Sequence, residues 1–410
     1  MKKVSLVALA VVTCSSVARA DDTHVYVAPT ALMQLDFQAL PQEEADTGFS
    51  LQRFRLGAYS QPVDWILALA QIQFDSSADG PSVLDAYARL GPWKGFRVTA
   101  GYFRSPLFVS ARNELDGMTP FPELSLPAKA LWPGRDLALE LHYAPDRLPI
   151  EAFARFGNGN TSPAMNDLNN AFAFTGRVDA TMGRGRIDAT GAETFGLRVG
   201  ASAFVDQNTY DEAGIGGTTA AGFQFYRPPT VSGVRRVVEG HALAYAGPVR
   251  ALVEFGEAME DRSVPGASLG APRVALDPSS SRGISGEIAW MITGEHRVPS
   301  VWPVRAAKSP FSFDHPAIEI AARVDRVDLG RGMRDYAPGG ATGASLAANA
   351  YLNAMFALTV AGYYYRYDTG PIEEPTRLDS YLVQARLVIY LNPPPLGPIN
   401  LARAPLLSLH

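Results

Sequence analysis

The sequence predicts an all-β chain folded as a transmembrane antiparallel β-barrel of about 16 strands with long external loops. Three observations predict it. Apolar and polar residues alternate through segment after segment, the N-terminus reads as an export signal, and long connections alternate with short ones. The alternation is clearest over residues 136–143, D-L-A-L-E-L-H-Y, where Leu137, Leu139, Leu141 and Tyr143 share one face and Asp136, Ala138, Glu140 and His142 the other. A two-residue period means extended strands with one greasy and one wet face. A soluble sandwich shows the same pattern, so the remaining elements must choose between water and lipid.

The first element is a targeting segment. Lys2 and Lys3 precede an apolar run over residues 4–12, and Ala18-Arg19-Ala20 stands before Asp21-Asp22. This is the pattern of a cleaved secretory signal peptide, residues 1–20. A lipoprotein signal ending at Cys14 is the rival reading, and Thr13 fits a lipobox poorly. Cys14 is the only cysteine, so the mature chain has no disulfide framework, thiolate zinc site or cysteine nucleophile. Losing Lys2, Lys3 and Arg19 takes the formal charge from −5 to −8, a balance with no hint of nucleic-acid binding. No apolar run in the mature chain approaches the roughly 18 residues of a spanning helix. A membrane could then be crossed only by a closed barrel.

Residues 21–391 read as one barrel domain without a break or solenoid repeat. Phe54, Leu56 and Ala58 oppose Arg53, Arg55, Gly57 and Tyr59; Ile66, Ala68, Ala70, Ile72 and Phe74 oppose Gln71, Gln73 and Asp75. Leu84, Ala86, Ala88 and Leu90 oppose Asp85, Tyr87 and Arg89, and Val98, Ala100 and Tyr102 oppose Arg97 and Thr99. Ile150, Ala152, Ala154 and Phe156 oppose Glu151, Phe153 and Arg155; Phe172, Phe174 and Val178 oppose Thr175, Arg177 and Asp179. Phe195, Leu197, Val199 and Ala201 oppose Arg198 and Ser202, and Val249, Ala251, Val253 and Phe255 oppose Arg250 and Glu254. Ile284, Ile288, Trp290 and Ile292 oppose Ser285, Glu287 and Thr293; Ile318, Ile320 and Val324 oppose Glu319, Arg323 and Asp325. Tyr381, Val383, Ala385, Leu387 and Ile389 oppose Gln384 and Arg386.

About 16 strands of about 9 to 12 residues can be drawn, which suits a membrane barrel of even strand number. Long connections rich in Gly, Pro and Ser fall at 105–133, 158–170, 206–233, 261–282, 297–315 and 330–343, and short ones at 91–95 and 143–148. Surface loops on one side and tight turns on the other would produce that alternation. Trp65, Tyr102, Tyr143, Trp290, Tyr363 to Tyr365 and Tyr381 fall near strand ends, as interfacial girdles do.

Residues 283–297, G-I-S-G-E-I-A-W-M-I-T-G-E-H-R, and 317–329, A-I-E-I-A-A-R-V-D-R-V-D-L, resemble the phosphate-selective porin O and P family. So do Q-R-F-R-L-G at 52–57, the D-A-Y strand with Gly101, Phe103 and Pro106 that follows it, and S-L-P-A-K-A-L-W-P-G-R-D at 125–136. The matches run in order from about Phe49 to Leu391. The resemblance implies a trimeric 16-stranded porin of a Gram-negative outer membrane, its third loop, here 105–133, folded into the lumen. It implies lipid, small ions and solutes as partners and no cofactor, metal or catalytic residue, hence no enzyme. Two departures stand out. A Pro-rich tail, 392–410, follows the last strand, where the family ends on a closing aromatic. The mature lysines are only Lys94, Lys129 and Lys308, whereas the phosphate specialists use several lumen lysines, so phosphate transport does not carry over.

On this parity Arg53, Arg55, Arg89, Arg97, Arg155, Arg177, Arg198, Arg250, Arg323 and Arg386 face the lumen, nearly balanced by Asp75, Asp85, Glu140, Glu151, Asp179, Glu254, Glu287, Glu319 and Asp325. Selectivity must come from segregated charge or from the third loop. Arg53, Arg55, Arg97 and Arg135 are expected to form an anion-attracting arc opposite the constriction-loop acids Glu114, Asp116 and Glu123, with Lys129 also in the loop. The opposing expectation is that these arginines only pair with neighbouring strand carboxylates.

Two other readings are open. A barrel esterase or phospholipase would assemble His142 or His241 with a serine; the G-x-S-x-G match at 266–270 lacks the strand–helix context of a nucleophile elbow. A structural or adhesive barrel would have a closed lumen.

Overall fold

Apolar side chains lie on the outside of the molecule and charged ones on the inside. In the computed structural model Leu137, Leu139 and Leu141 are 40, 50 and 51% exposed, while Glu140 and His142 between them are 1 and 5% exposed. Structure is described for residues 26–39, 47–63, 65–75, 80–112, 119–145, 148–159, 172–183, 195–266, 272–295, 313, 315–353, 355–369 and 376–391. The signal segment 1–20, the tail 392–410, Glu114, Asp116, Lys308 and all but Gly266 of the 266–270 match lie outside the described residues.

The strands are β1 (Tyr26–Ala39), β2 (Gly48–Val63), β3 (Ile66–Asp75), β4 (Ser82–Trp93), β5 (Phe96–Arg104), β6 (Arg135–Tyr143), β7 (Ile150–Gly157), β8 (Ala173–Met182) and β9 (Phe195–Ala213). They continue with β10 (Gly217–Thr218), β11 (Gln224–Tyr226), β12 (Thr230–Ala246), β13 (Val249–Val264), β14 (Val274–Met291), β15 (Ala317–Arg331), β16 (Gly339–Tyr351), β17 (Phe356–Tyr367) and β18 (Asp379–Leu391). Two short helices, α1 (Val109–Arg112) and α2 (Leu126–Leu131), lie between β5 and β6. All strands except β10 and β11 form one closed barrel of 16, and β10 pairs with β11 in a separate two-stranded sheet. Closure is made by β1 against β18, from Ala31 opposite Leu391 to Ala39 opposite Val383. A closed antiparallel ring leaves no strand edge unpaired, the condition for strands to stand in lipid. The apolar outer face, with Phe174, Val178, Ile284, Ile288, Val324 and Leu346 between 49 and 69% exposed, is the lipid-facing surface.

Strand parity follows the sequence pattern, with local exceptions. Leu84, expected on the lipid face, is buried: Gln71 pairs with Asp85 and Ile72 with Val83, so Leu84 is the extra residue of a β-bulge. Tyr102, also expected outside, is 5% exposed and follows Gly101, whose φ of 137° bends β5 just before the third loop. Among the expected girdle residues, Tyr363 and Tyr365 face inward and are buried.

Some segments read as connections are strand. β9 extends to Ala213 and β12 begins at Thr230, so both ends of 206–233 are strand, with β10 and β11 between them, and β13 and β14 extend through much of 261–282. The segment 297–315 joins β14 to β15 at the end of the barrel that carries the short turns. Long connections are therefore not confined to one end.

Candidate functional site

Among the described residues buried charge concentrates in the lumen, whose occupancy is set by the third loop. This loop leaves β5 and returns to β6, its base closed by the Ser105 N–H donating to the Gly134 carbonyl at 2.9 Å. Phe108 takes a φ of 55°, reversing the chain into α1. Ser125 caps α2, its Oγ accepting from Ala128 N at 3.3 Å, and Pro127 sits in the first turn, where no N–H partner is needed.

Apolar residues of the loop, Leu107, Phe108, Phe121, Leu126 and Leu131, bury against an inner wall of small residues on β13–β17, among them Ala258, Ala289, Ala321, Ala347 and Ala361. Glycine is required at two points of contact. A Cβ at Gly256 would come within 2.6 Å of the Phe108 ring, and one at Gly283 within 2.8 Å of Pro127. A second segment, carrying β10 and β11, lies beside the loop and buries Ile215, Phe225 and Tyr226 in the same cluster. Phe225 stacks on Tyr367 with ring centroids 5.9 Å apart.

A loop inside a barrel must satisfy its backbone carbonyls, and lumen arginines do this. Arg323 donates to the Glu123 carbonyl at 2.8 Å, Arg386 to Pro122 at 2.6 Å and Arg177 to Pro106 at 3.3 Å. Asn349 donates to Pro120 at 3.0 Å. Carboxylates of the wall hold the loop's donors: Ser110 N and Oγ reach Glu254 at 3.0 and 2.6 Å, and Arg112 reaches Glu140 at 2.7 Å. Lys129 donates to the carbonyl of Thr219 at 2.7 Å, joining the loop to the second segment.

The expected pore residues thus have diverse partners. Arg135 forms a forked pair with Asp85 at 3.1 and 3.3 Å, Arg177 pairs with Asp179 at 2.8 Å, and Arg198 lies 3.6 Å from Glu151. Arg155 donates to the carbonyls of Phe103, Arg104 and Asp136 and lies 4.4 Å over the Phe103 ring. Arg53 donates to Gln34 at 3.2 Å, Arg55 to Gln73 at 2.7 Å and Arg89 to Thr99 at 3.3 Å; Arg97 points inward from β5 beside them. Glu123 binds Arg386 at 2.9 Å. Burial would raise its carboxyl, but Arg386, Arg53 and Lys129 outweigh burial and hold it below its ordinary value. Burial pushes the Lys129 ammonium down, Glu123 offsetting part of it.

Filling is one-sided. Every inward position along β7, β15, β16, β17 and β18 is buried. On β2–β5, inward-facing Arg53, Tyr59, Gln61, Gln73, Asp85, Arg89 and Arg97 keep partial exposure. The lumen acids Asp36, Glu140, Asp179, Glu254, Glu319 and Asp325 are at most 1% exposed. The charge that meets water inside the barrel is therefore mainly arginine. Sequence parity points to inward arginines, but not to the loop-holding role of Arg323 and Arg386 nor to the second inserted segment, because both depend on contacts between residues far apart in the chain.

The histidines considered for a barrel hydrolase meet carboxylates. His142 Nε2 lies 2.8 Å from Glu151, with its ring stacked on Phe153. His241 Nδ1 lies 2.8 Å from Glu239 and its Nε2 3.1 Å from Asp179, while Ser202 Oγ donates to Glu239 at 2.6 Å. Neither ring is aimed at a serine hydroxyl among these contacts.

No protein-family model and no curated protein matches the chain. Solved structures do. OmpT, an outer-membrane protein of Vibrio cholerae described in a trimer form, superposes with a TM-score of 0.56 at 12% identity over 90% of this chain and 99% of that one. The anion-selective porin from Comamonas acidovorans gives 0.53 at 9% over 90% and 100%. OprB of Pseudomonas putida gives 0.52 at 9% over 90% and 94%. Together they establish the fold as that of outer-membrane barrels.

Proposed function

We propose that the chain is an outer-membrane porin, exported through a cleaved signal peptide, that lets small solutes diffuse passively and prefers anions. The observation that carries this reading is the wall β2–β5, where Arg53, Arg89 and Arg97 are partly exposed beside a single partly exposed acid among the described residues, Asp85, while Asp36, Glu140, Asp179, Glu254, Glu319 and Asp325 are buried. An anion entering such a passage meets fixed positive charge bounded by low-dielectric walls, which raises its local concentration. The anion-selective porin of Comamonas supports the same reading by likeness of fold. A homotrimer is the assembly proposed, by analogy with the trimer form of the Vibrio protein.

Phosphate specificity has less support. Lys94 lies at the turn between β4 and β5, and Lys129 is engaged by the Thr219 carbonyl, so these two lysines form no common anion cradle.

The test is the reversal potential of the purified protein in planar bilayers across a potassium chloride gradient. Anion preference is expected. Cation preference would overturn the selectivity. The filled lumen favours a second reading, a non-conducting structural barrel, and the lack of any unitary current steps in the same bilayers would favour it over a porin.

A further inference from the structure

Around the barrel, neighbouring strands follow one another in sequence, with only β10 and β11 intervening between β9 and β12; β1 and β18 alone meet from opposite ends of the chain. A connection between two strands limits how far one can slide along the other. The closing pair has no such limit.

The outer face of this pair does not fix its register. Met33, Leu35 and Phe37 of β1 and Val383, Leu387 and Ile389 of β18 all point outward and are all apolar. A slip of one residue would turn both faces inside out, but a slip of two leaves them against lipid. The inner face is different. Asp36 is the one charged residue of β1, Arg386 is the one charged residue on the inner side of β18, and the register sets them opposite each other. Sliding two residues one way would set Arg386 opposite Gln34 and Asp36 opposite Gln384; sliding the other way would set Arg386 opposite Gln38 and Asp36 opposite Val388. Either slip faces each charge with a neutral side chain.

Arg386 donates from Nε to Asp36 Oδ1 and from Nη2 to Asp36 Oδ2, both at 2.7 Å, and Gln384 Nε2 donates to Oδ2 at 2.7 Å. Asp36 and Gln384 are fully buried, and Arg386 is 2% exposed. A buried pair stabilises little on balance, whereas parting one is costly, so its main effect is to choose between arrangements. With two of its nitrogens held by Asp36, the guanidinium directs Nη1 at the Pro122 carbonyl, 2.6 Å away, and Nη2 also reaches Glu123 Oε1 at 2.9 Å. Pro122 and Glu123 belong to the third loop. First strand, last strand and constriction loop therefore meet at one side chain.

We propose that Asp36 and Arg386 select the register in which β1 closes on β18, and that Arg386, oriented by Asp36, seats the third loop, so that barrel closure and constriction form together. The proposal concerns assembly and stands whether or not the lumen conducts anions.

Cross-linking of engineered cysteine pairs in the refolded, detergent-solubilised barrel is the experiment. Cys14 is the only native cysteine and lies in the signal segment, so the mature chain adds no thiol of its own. Leu35→Cys and Leu387→Cys stand opposite each other in the observed register, whereas Leu35→Cys meets Ala385→Cys or Ile389→Cys only after a slip of two. A disulfide needs Cα atoms within about 7 Å. The Leu35–Leu387 pair should dominate in the otherwise native chain. In Asp36→Asn with Arg386→Gln, where no charge is left to choose, the yield of a slipped pair relative to the native pair should rise about tenfold or more. The reversed pair, Asp36→Arg with Arg386→Asp, should restore the native cross-link yet leave the loop without its anchor, so that protease cuts near Glu123. Native cross-linking alone in the neutral double variant would overturn register selection and assign it to the tilt and stagger of the whole barrel. A reversed-pair variant whose loop is as protected as in the wild type would overturn the link to the constriction. Should the reversed pair fail to fold, the same protease readout on the neutral double variant decides that second part.

Discussion

His241 reaches Asp179 across the full width of strand β9, Nε2 to Oδ1 at 3.1 Å, because the residue paired with both of them is Gly200. A Cβ at position 200 would stand 2.1 Å from Asp179 Oδ1 and 2.6 Å from His241 Nε2. Gly200→Ala therefore separates the ring from the carboxylate inside a cluster that also holds Arg177, Glu239 and Ser202. Overpacking costs about 1–3 kcal/mol, while Asp179 keeps Arg177 and His241 keeps Glu239. The expected loss is about 1–3 kcal/mol, read from urea unfolding of the detergent-solubilised barrel. A loss below about 1 kcal/mol would show that the cluster relaxes around the methyl group.

Parity explains why so much of this fold was legible. A residue two positions from Leu139 must share its face, so Leu137 and Leu141 follow from pattern alone, and with them the inward Glu140 and His142. The strand at 274–291 was less legible, because Asp277, Pro278 and Ser279 to Ser281 read as loop although they continue β14 above the apolar band. Leu84 was misplaced because a bulge changes parity without any mark in composition. In the lumen, parity gave the inward arginines but not their partners. Arg386 was legible as a lumen cation, and only the fold brings Asp36 and Glu123 to it.

Loop docking through Glu123 is expected to resist acid. Its folded carboxyl titrates below the ordinary 4.5, so the stabilisation from Arg386 is complete above that value and is lost only as pH falls through the depressed folded value. The part of the unitary conductance and of the protease resistance near residue 123 that depends on Glu123 should therefore change only below about pH 4.5. Glu123→Gln should bring the altered conductance to neutral pH. An acid transition in the wild type that starts well above pH 5 would point to another group.

The lowered Lys129 ammonium gives the complementary prediction at high pH. Because its folded value lies below 10.5, the lysine loses its charge earlier than a free side chain as pH rises. Anion preference should begin to decline below pH 10.5, and Lys129→Met should remove that decline while keeping the preference given by the arginines. Identical alkaline profiles for wild type and variant would exclude a contribution from this lysine.

Gly256→Val tests how the loop divides the lumen. The added side chain starts where a Cβ would meet Phe108 at 2.6 Å and Leu131 at 3.0 Å, so it pushes the loop away from β13 toward the β2–β5 wall. The water-accessible wall lies there, and unitary conductance is expected to fall. Strain of about 1–3 kcal/mol should leave the barrel folded, as checked by its heat-modifiable migration. Conductance that rises instead would mean the loop leaves the lumen altogether.

The partly exposed arginines should control selectivity in a way that depends on salt. Arg53 and Arg97 enter from β2 and β5, on the side of the lumen left open by the loop, while the acids opposite are buried. Removing both, as Arg53→Gln with Arg97→Gln, should move the reversal potential toward cations. Asp85→Asn should move it the other way, because Asp85 neutralises Arg135 through a pair 3.1 Å long. Fixed charges act over about 10 Å at 0.1 M salt and about 3 Å at 1 M, so both shifts should be large in dilute potassium chloride and shrink in concentrated solution. A double arginine variant with wild-type permeability ratio at 0.1 M would leave these two arginines a structural role only, through partners such as the 3.2 Å contact of Arg53 with Gln34.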